Sequence, residues 1–153
     1  MRTSSLLYLS PSTFTSHTME LKYAHLCDYA GEGAYGKVIV VGIFDHLFAT
    51  PQRPISVPSC TLVVSFSAHV TEGTEHKFEL RFTDEDAKDM IPRITGDLRF
   101  ALQGPGREMR ANLFLQFGPQ LLPDLGDYRF YVLVDGIELA SVLLTVAPMP
   151  QAN

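Results

Sequence analysis

Tryptophan is absent from this chain of 153 residues, and cysteine occurs only as Cys27 and Cys60. Their spacing matches neither a zinc site nor a thioredoxin-like motif. Both lie in apolar, strand-like runs, which predicts buried free thiols and a reducing compartment; a disulfide between neighbouring strands is the alternative. Long hydrophobic runs are missing too. No stretch approaches the roughly 20 apolar residues of a membrane helix, so no membrane association is expected. Residues 1–18 hold nothing longer than Leu6-Leu7-Tyr8-Leu9, short of the roughly 7–15 apolar residues of a secretory signal. Charged residues make up 19% and the net charge is −5. That balance argues against a nucleic-acid partner, whose phosphates call for a dense cationic face.

Catalytic signatures are equally scarce. Neither G-x-S-x-G nor H-E-x-x-H occurs. The five histidines (His17, His25, His46, His69 and His76) are scattered, whereas a metal site needs three or four ligands to converge. No enzyme, no cofactor and no metal are expected.

What is present is alternation. From Met19 onward the apolar period is two, with single Gly and Pro residues as punctuation. Eight strands are predicted, at 20–28, 37–49, 60–70, 76–83, 94–102, 110–117, 128–134 and 138–146. The run 37–49 is mostly apolar, so it reads as buried on both faces or bent near Gly42. Residues 50–58 hold three prolines and read as an extended connector. In 60–70, Leu62, Val64, Phe66, Ala68 and Val70 face in, while Thr61, Ser65, Ser67 and His69 face out. Asp135-Gly136 is a hairpin signal, which gives Gly136 a structural role. With no convincing helix, one-face-apolar strands stack as two sheets, an all-β antiparallel sandwich. Leu125-Gly126-Asp127-Tyr128 before a long strand resembles a tyrosine corner. That assigns Tyr128 a structural role and makes the fold an immunoglobulin-like β-sandwich of about seven to eight strands. The domain is placed at 19–147, after a disordered 1–18 extension with Met19 as the natural start, and before a flexible tail at 148–153.

GEGAYGKV, residues 31–38, fits the kinase glycine-rich pattern. Its partners are missing, however: there is no H-R-D and no D-F-G, and Val38 follows Lys37 where a Walker motif needs Ser or Thr. The β-branched run that follows is a strand, not a helix. The glycines are therefore read as a turn between antiparallel strands. Asp45-His46 places a charged pair inside an apolar run, read as a buried structural pair that pins a bulge. The acidic turn at 84–89 reads as solvated, with calcium binding left open.

Two stretches carry a family resemblance. One is Tyr23-Ala24-His25-Leu26-Cys27-Asp28-Tyr29-Ala30 with Gly36-Lys37-Val38-Ile39-Val40-Val41-Gly42-Ile43-Phe44-Asp45. The other is Gly126-Asp127-Tyr128-Arg129-Phe130 with Val134-Asp135-Gly136. Together they resemble a set of small bacterial proteins classed as a domain of unknown function and expected to be immunoglobulin-like sandwiches. The resemblance covers roughly residues 20–146, and this chain departs from it in a longer, glycine-rich first loop. It implies a bacterial protein and carries no activity or site residues with it; the reducing compartment read from the thiols makes the expected location cytoplasmic.

The function expected is a non-enzymatic protein-binding or scaffold module, since sandwiches recruit partners through end loops or free strand edges. The surfaces named for it are loops 29–36 and 103–110 and the charged strands 76–82 and 94–102. Candidate partner-binding residues are Tyr35, Arg99, Arg107, Arg110, Phe114 and Tyr131. The alternative is a small-ligand or carbohydrate-binding sandwich using exposed aromatics, with Phe114 and Tyr131 as the candidates. Self-association into a homo-oligomer is left open.

Overall fold

Alternation of apolar and polar side chains works only if each strand has one face to bury, and the chain meets that condition with two opposed sheets. The computed structural model describes residues 19–150; the 1–18 extension and the last three residues lie outside the described residues. Among the described residues twelve strands form: β1 (Met19–Glu32), β2 (Val38–Phe44), β3 (His46–Ala49), β4 (Ile55–Val57), β5 (Cys60–His69), β6 (Glu75–Thr83), β7 (Ile94–Arg99), β8 (Ala101–Leu102), β9 (Glu108–Phe117), β10 (Gln120–Leu122), β11 (Gly126–Val134) and β12 (Ile137–Pro148). One five-stranded sheet runs β2-β1-β5-β9-β8 and the other β3-β12-β11-β6-β7, with β4 and β10 pairing apart. Every pairing is antiparallel except β3 with β12.

The count exceeds the seven or eight strands expected from sequence, for identifiable reasons. The run 37–49 divides at Asp45, so β2 borders one sheet and β3 the other. Likewise 94–102 divides at Phe100, whose side chain is buried in the core between two strands that belong to different sheets. The proline-containing connector and residues 120–122 pair with each other as β4 and β10. At the C-terminal end, β12 runs through Pro148, and the Met149 amide donates to the Ala49 carbonyl at 3.1 Å. Pro148 and Met149 are thus joined to β3.

Leu26, Leu62, Val64, Phe66, Phe78, Leu80, Val132 and Leu144 bring the inner faces of both sheets into one core. Burying a side chain of this size contributes about 1.5–3 kcal/mol. Phe130 joins the layers, with its ring 4.3 Å from Phe82 within its own sheet and 5.2 Å from Phe117 on β9 across the core.

A second, smaller cluster lies on the outer side of the first sheet. Cys27, Ala30 and Val63 are buried there, covered by Tyr23, Val38, Val40 and Phe114. The first sheet therefore curls over its own outer face. This corrects the reading of β5. Thr61, Ser65 and Ser67 were expected to face solvent, but all three are buried, because β5 is central and both its faces are covered. The two thiols are free. Cys60 belongs to the main core and Cys27 to the outer cluster, so they sit on opposite sides of the sheet and cannot join. Burial pushes the Cys60 thiol up to about 11.

Candidate functional site

Glycine-rich residues 31–38 form a hairpin connection, with Glu32 paired to Val38 and the Gly33 amide donating to the Lys37 carbonyl at 2.6 Å. A turn this tight needs left-handed backbone, found at Tyr35 (φ 59°) and Gly36 (φ 72°). Tyr35 projects almost wholly into solvent.

The strand that follows was expected to be buried on both faces or bent near Gly42. It is bent at Gly42 (φ 72°), but it is not buried. β2 ends its sheet, with one edge unpaired among the described residues. Val38 and Val40 cover the outer cluster and Phe44 reaches the main core. The alternate residues Ile39, Val41 and Ile43 are 49%, 52% and 58% exposed, and Tyr29, opposite Val41, is 52% exposed. Edge strands normally carry charge or proline against unwanted pairing. VIVVGIF carries neither.

The charged strands behave differently. β6 and β7 pair with each other, and their opposite charges meet across the ladder. Arg99 bonds Glu75 at 2.8 Å, Lys77 bonds Asp97, and Arg93 lies 3.7 Å from Glu79. Glu75, Glu79 and Asp89 of the acidic segment are thus paired with Arg99 and Arg93 of the basic one. Arg107 is exposed in the loop before β9, and Arg110 lines a cleft on the curled sheet.

Phe114 and Tyr131 do not come together. Phe114 pairs with Val63 on the outer side of the first sheet, within the small cluster. Tyr131 lies on the other sheet, paired with Ser141 and Arg81, between core residues that face the opposite way. Asp45 and His46 contact each other at 2.7 Å, but the pair is exposed, not buried. It stands where the chain leaves one sheet for the other, with Phe44 and Leu47 turned towards the core on either side. The Tyr128 hydroxyl donates to the Asp124 carbonyl at 2.6 Å, and burial pushes its phenol above the usual range. Asp135 (φ 50°) and Gly136 (φ 84°) close the β11–β12 hairpin, a two-residue turn that needs left-handed backbone at both positions.

Sequence reasoning missed the side chain on β6 that bonds to that hairpin. His76 Nδ1 lies 2.5 Å from Asp135 Oδ2, its Nε2 lies 2.9 Å from the Gly73 carbonyl, and its ring meets Phe100 edge-on. Burial alone would press the imidazole towards its neutral form. The bonds to Asp135 and Gly73 outweigh it and hold its pKa above the usual histidine value. Asp135 also accepts from the Lys77 amide, and this bond with the His76 contact holds its carboxyl below the usual range. The partners are 59 residues apart, so no local pattern announces them.

The acidic turn is internally used. Asp84 Oδ1 accepts from the amides of Asp86 and Lys88, Glu85 accepts from the Asp127 amide, and Arg81 and Arg93 hold Asp89. Among the described residues, no three His, Cys, Asp or Glu side chains are grouped to hold a metal ion. Among them, too, no helix is long and apolar enough to cross a membrane.

Comparison with known proteins gives three results. No curated protein matches the chain in sequence. Among solved structures, the Pseudomonas fluorescens alkylpurine DNA glycosylase AlkC, bound to DNA containing an abasic site analogue, is similar at a TM-score of 0.41 and 10% identity. That match takes in 85% of this chain and 30% of the glycosylase. The family of unknown function DUF6941 matches residues 22–147, and the chain belongs to that family.

Proposed function

We propose that the protein is a non-enzymatic binding module that takes up an extended strand of a partner protein along the free edge of β2. The observation that carries this reading is the unprotected apolar edge, with Ile39, Val41 and Ile43 exposed at alternate positions beside Tyr29. Backbone groups on such an edge supply the ladder, and alternate side chains supply selectivity. The partner segment that fits is uncharged, apolar and β-branched, matching VIVVGIF. Two sheets on one core and the bond from Tyr128 to Asp124 support an immunoglobulin-like sandwich as the scaffold. Two buried free thiols support a reducing, cytoplasmic setting, and the resemblance stated above supports a bacterial one. The carbohydrate alternative loses support, because Phe114 and Tyr131 belong to different sheets.

The test is affinity capture from the source organism with the full chain tagged at its C-terminus, as wild type and as Val41→Lys. A charge at this exposed site changes stability by about 0.5 kcal/mol or less. The expected outcome is one stoichiometric protein retained by the wild type at both low and high salt and lost by Val41→Lys at an unchanged melting temperature. Equal retention by both forms refutes the edge as the site. Concentration-dependent self-association abolished by Val41→Lys would make the occupant a second copy of the chain.

A further inference from the structure

On the outer side of the curled sheet, bordered by Val38 at the start of β2, lies a cleft of about 370 Å³, at the lower end of the range for small-molecule sites. Tyr23, Ser65 and Asn112 form one row across β1, β5 and β9, with Arg110 on the neighbouring row. The glycine-rich turn forms one wall. Gly36 comes so close to Gln103 that a Cβ there would sit 3.2 Å from the amide oxygen. The loops at both ends of the sheet therefore meet over this row.

Two residues that line the cleft each carry a buried polar atom with no partner in the protein. Ser65 is 1% exposed and its Oγ has no hydrogen-bond partner. Arg110 Nε is also sealed from solvent and unpartnered, and its guanidinium has only a loose contact with Glu108 at 3.5 Å. An unpartnered buried polar group is costly, and here two belong to residues lining one cleft. We propose that this cleft binds a small monocarboxylate, with the Arg110 guanidinium releasing Glu108 to donate to the carboxylate and Ser65 and Asn112 bonding the ligand's remaining polar atoms. A guanidinium fork matches a carboxylate's two oxygens. With Glu108 beside it, the single cation tolerates a monoanion better than a phosphate dianion. A neutral sugar would leave the arginine unpaired.

The arginine reports directly, because its Nε–H gives its own resonance in a proton–nitrogen spectrum. The full chain is titrated with acetate, lactate and benzoate, and with inorganic phosphate and glucose for comparison. At least one carboxylate is expected to move the Arg110 Nε–H and the amides of residues 65, 110 and 112 saturably, with a Kd of about 1 mM or tighter. In Arg110→Lys and in Ser65→Ala the affinity falls at least about tenfold. Ser65→Ala alone is expected to melt at the same or a higher temperature, because it removes an unpaired hydroxyl. The proposal is overturned if no carboxylate saturates by about 50 mM, if phosphate binds as tightly, if Arg110→Lys binds unchanged, or if Ser65→Ala melts lower.

Discussion

Replacing His76 with alanine removes three contacts together: the bond to Asp135 Oδ2, the bond to the Gly73 carbonyl and the edge-on packing against Phe100. Both ring nitrogens face acceptors, so only the doubly protonated imidazolium satisfies both. The charge-assisted bond is worth about 2 kcal/mol, the neutral one about 1 kcal/mol, and the ring contact about 0.5 kcal/mol more. The pH dependence follows from the directions of the two shifts. His76 is raised in the fold, so its contribution is fully present below about pH 6.5 and is lost as pH rises through the folded value. Asp135 is lowered, so its contribution is present above about pH 3.9 and is lost as pH falls through its folded value. The pair is therefore strongest between those limits. Urea unfolding of wild type and His76→Ala should differ by about 3.5 kcal/mol near pH 5.5, narrowing to about 1.5 kcal/mol near pH 9, where a neutral ring keeps one donor. An equal difference at both pH values would refute a charged His76 in the fold. A difference that widens with pH would reverse the sign of the reasoning.

Three further outcomes follow from the same geometry. Tyr128→Phe deletes the 2.6 Å bond to Asp124 while keeping the ring in the core. It should cost about 1 kcal/mol and lower the melting temperature by about 3 °C, and an unchanged melt would show the bond to be without net value. Gly36→Ala should cost about 1 kcal/mol, since its left-handed backbone (φ 72°) is strained for any side chain. Gly33→Ala should be nearly neutral, because the Ile39 methyl end it meets at 3.0 Å can swing aside, and ATP should shift the melting of neither form nor of wild type. Cys27 and Cys60 should resist alkylation in the native protein and react only on unfolding, measured by mass under rising denaturant, because both thiols are buried and their pKa values are raised.

Sequence periodicity located every one of the eight long strand segments, because alternation is a local property set by the pleat. It missed the divisions at Asp45 and Phe100, where the chain passes from one sheet to the other, since a sheet change leaves the alternation intact on either side. The apolar run 37–49 was legible as strand and illegible as edge. Its composition resembles a buried strand, yet its place at the end of the sheet leaves Ile39, Val41 and Ile43 in solvent. Conversely, Thr61, Ser65 and Ser67 read as a wet face and are dry, because β1, β2 and β9 curl over them. Of the six residues named for binding, Arg99 and Arg110 line clefts, and Arg110 lines the one that holds Ser65. Nothing in the sequence linked it to Ser65, which lies 45 positions earlier.

The chain by itself determined that the fold is all-β, that the 31–38 glycines serve a turn, and that Asp135-Gly136 closes a hairpin. These follow from sterics within a few residues. Which strand would be central, which would be left as an edge, and which polar atoms would be enclosed without partners were decided only in the tertiary structure. Those properties depend on hydrogen bonding and burial between segments tens of residues apart, and pairing at that range leaves no period in the sequence.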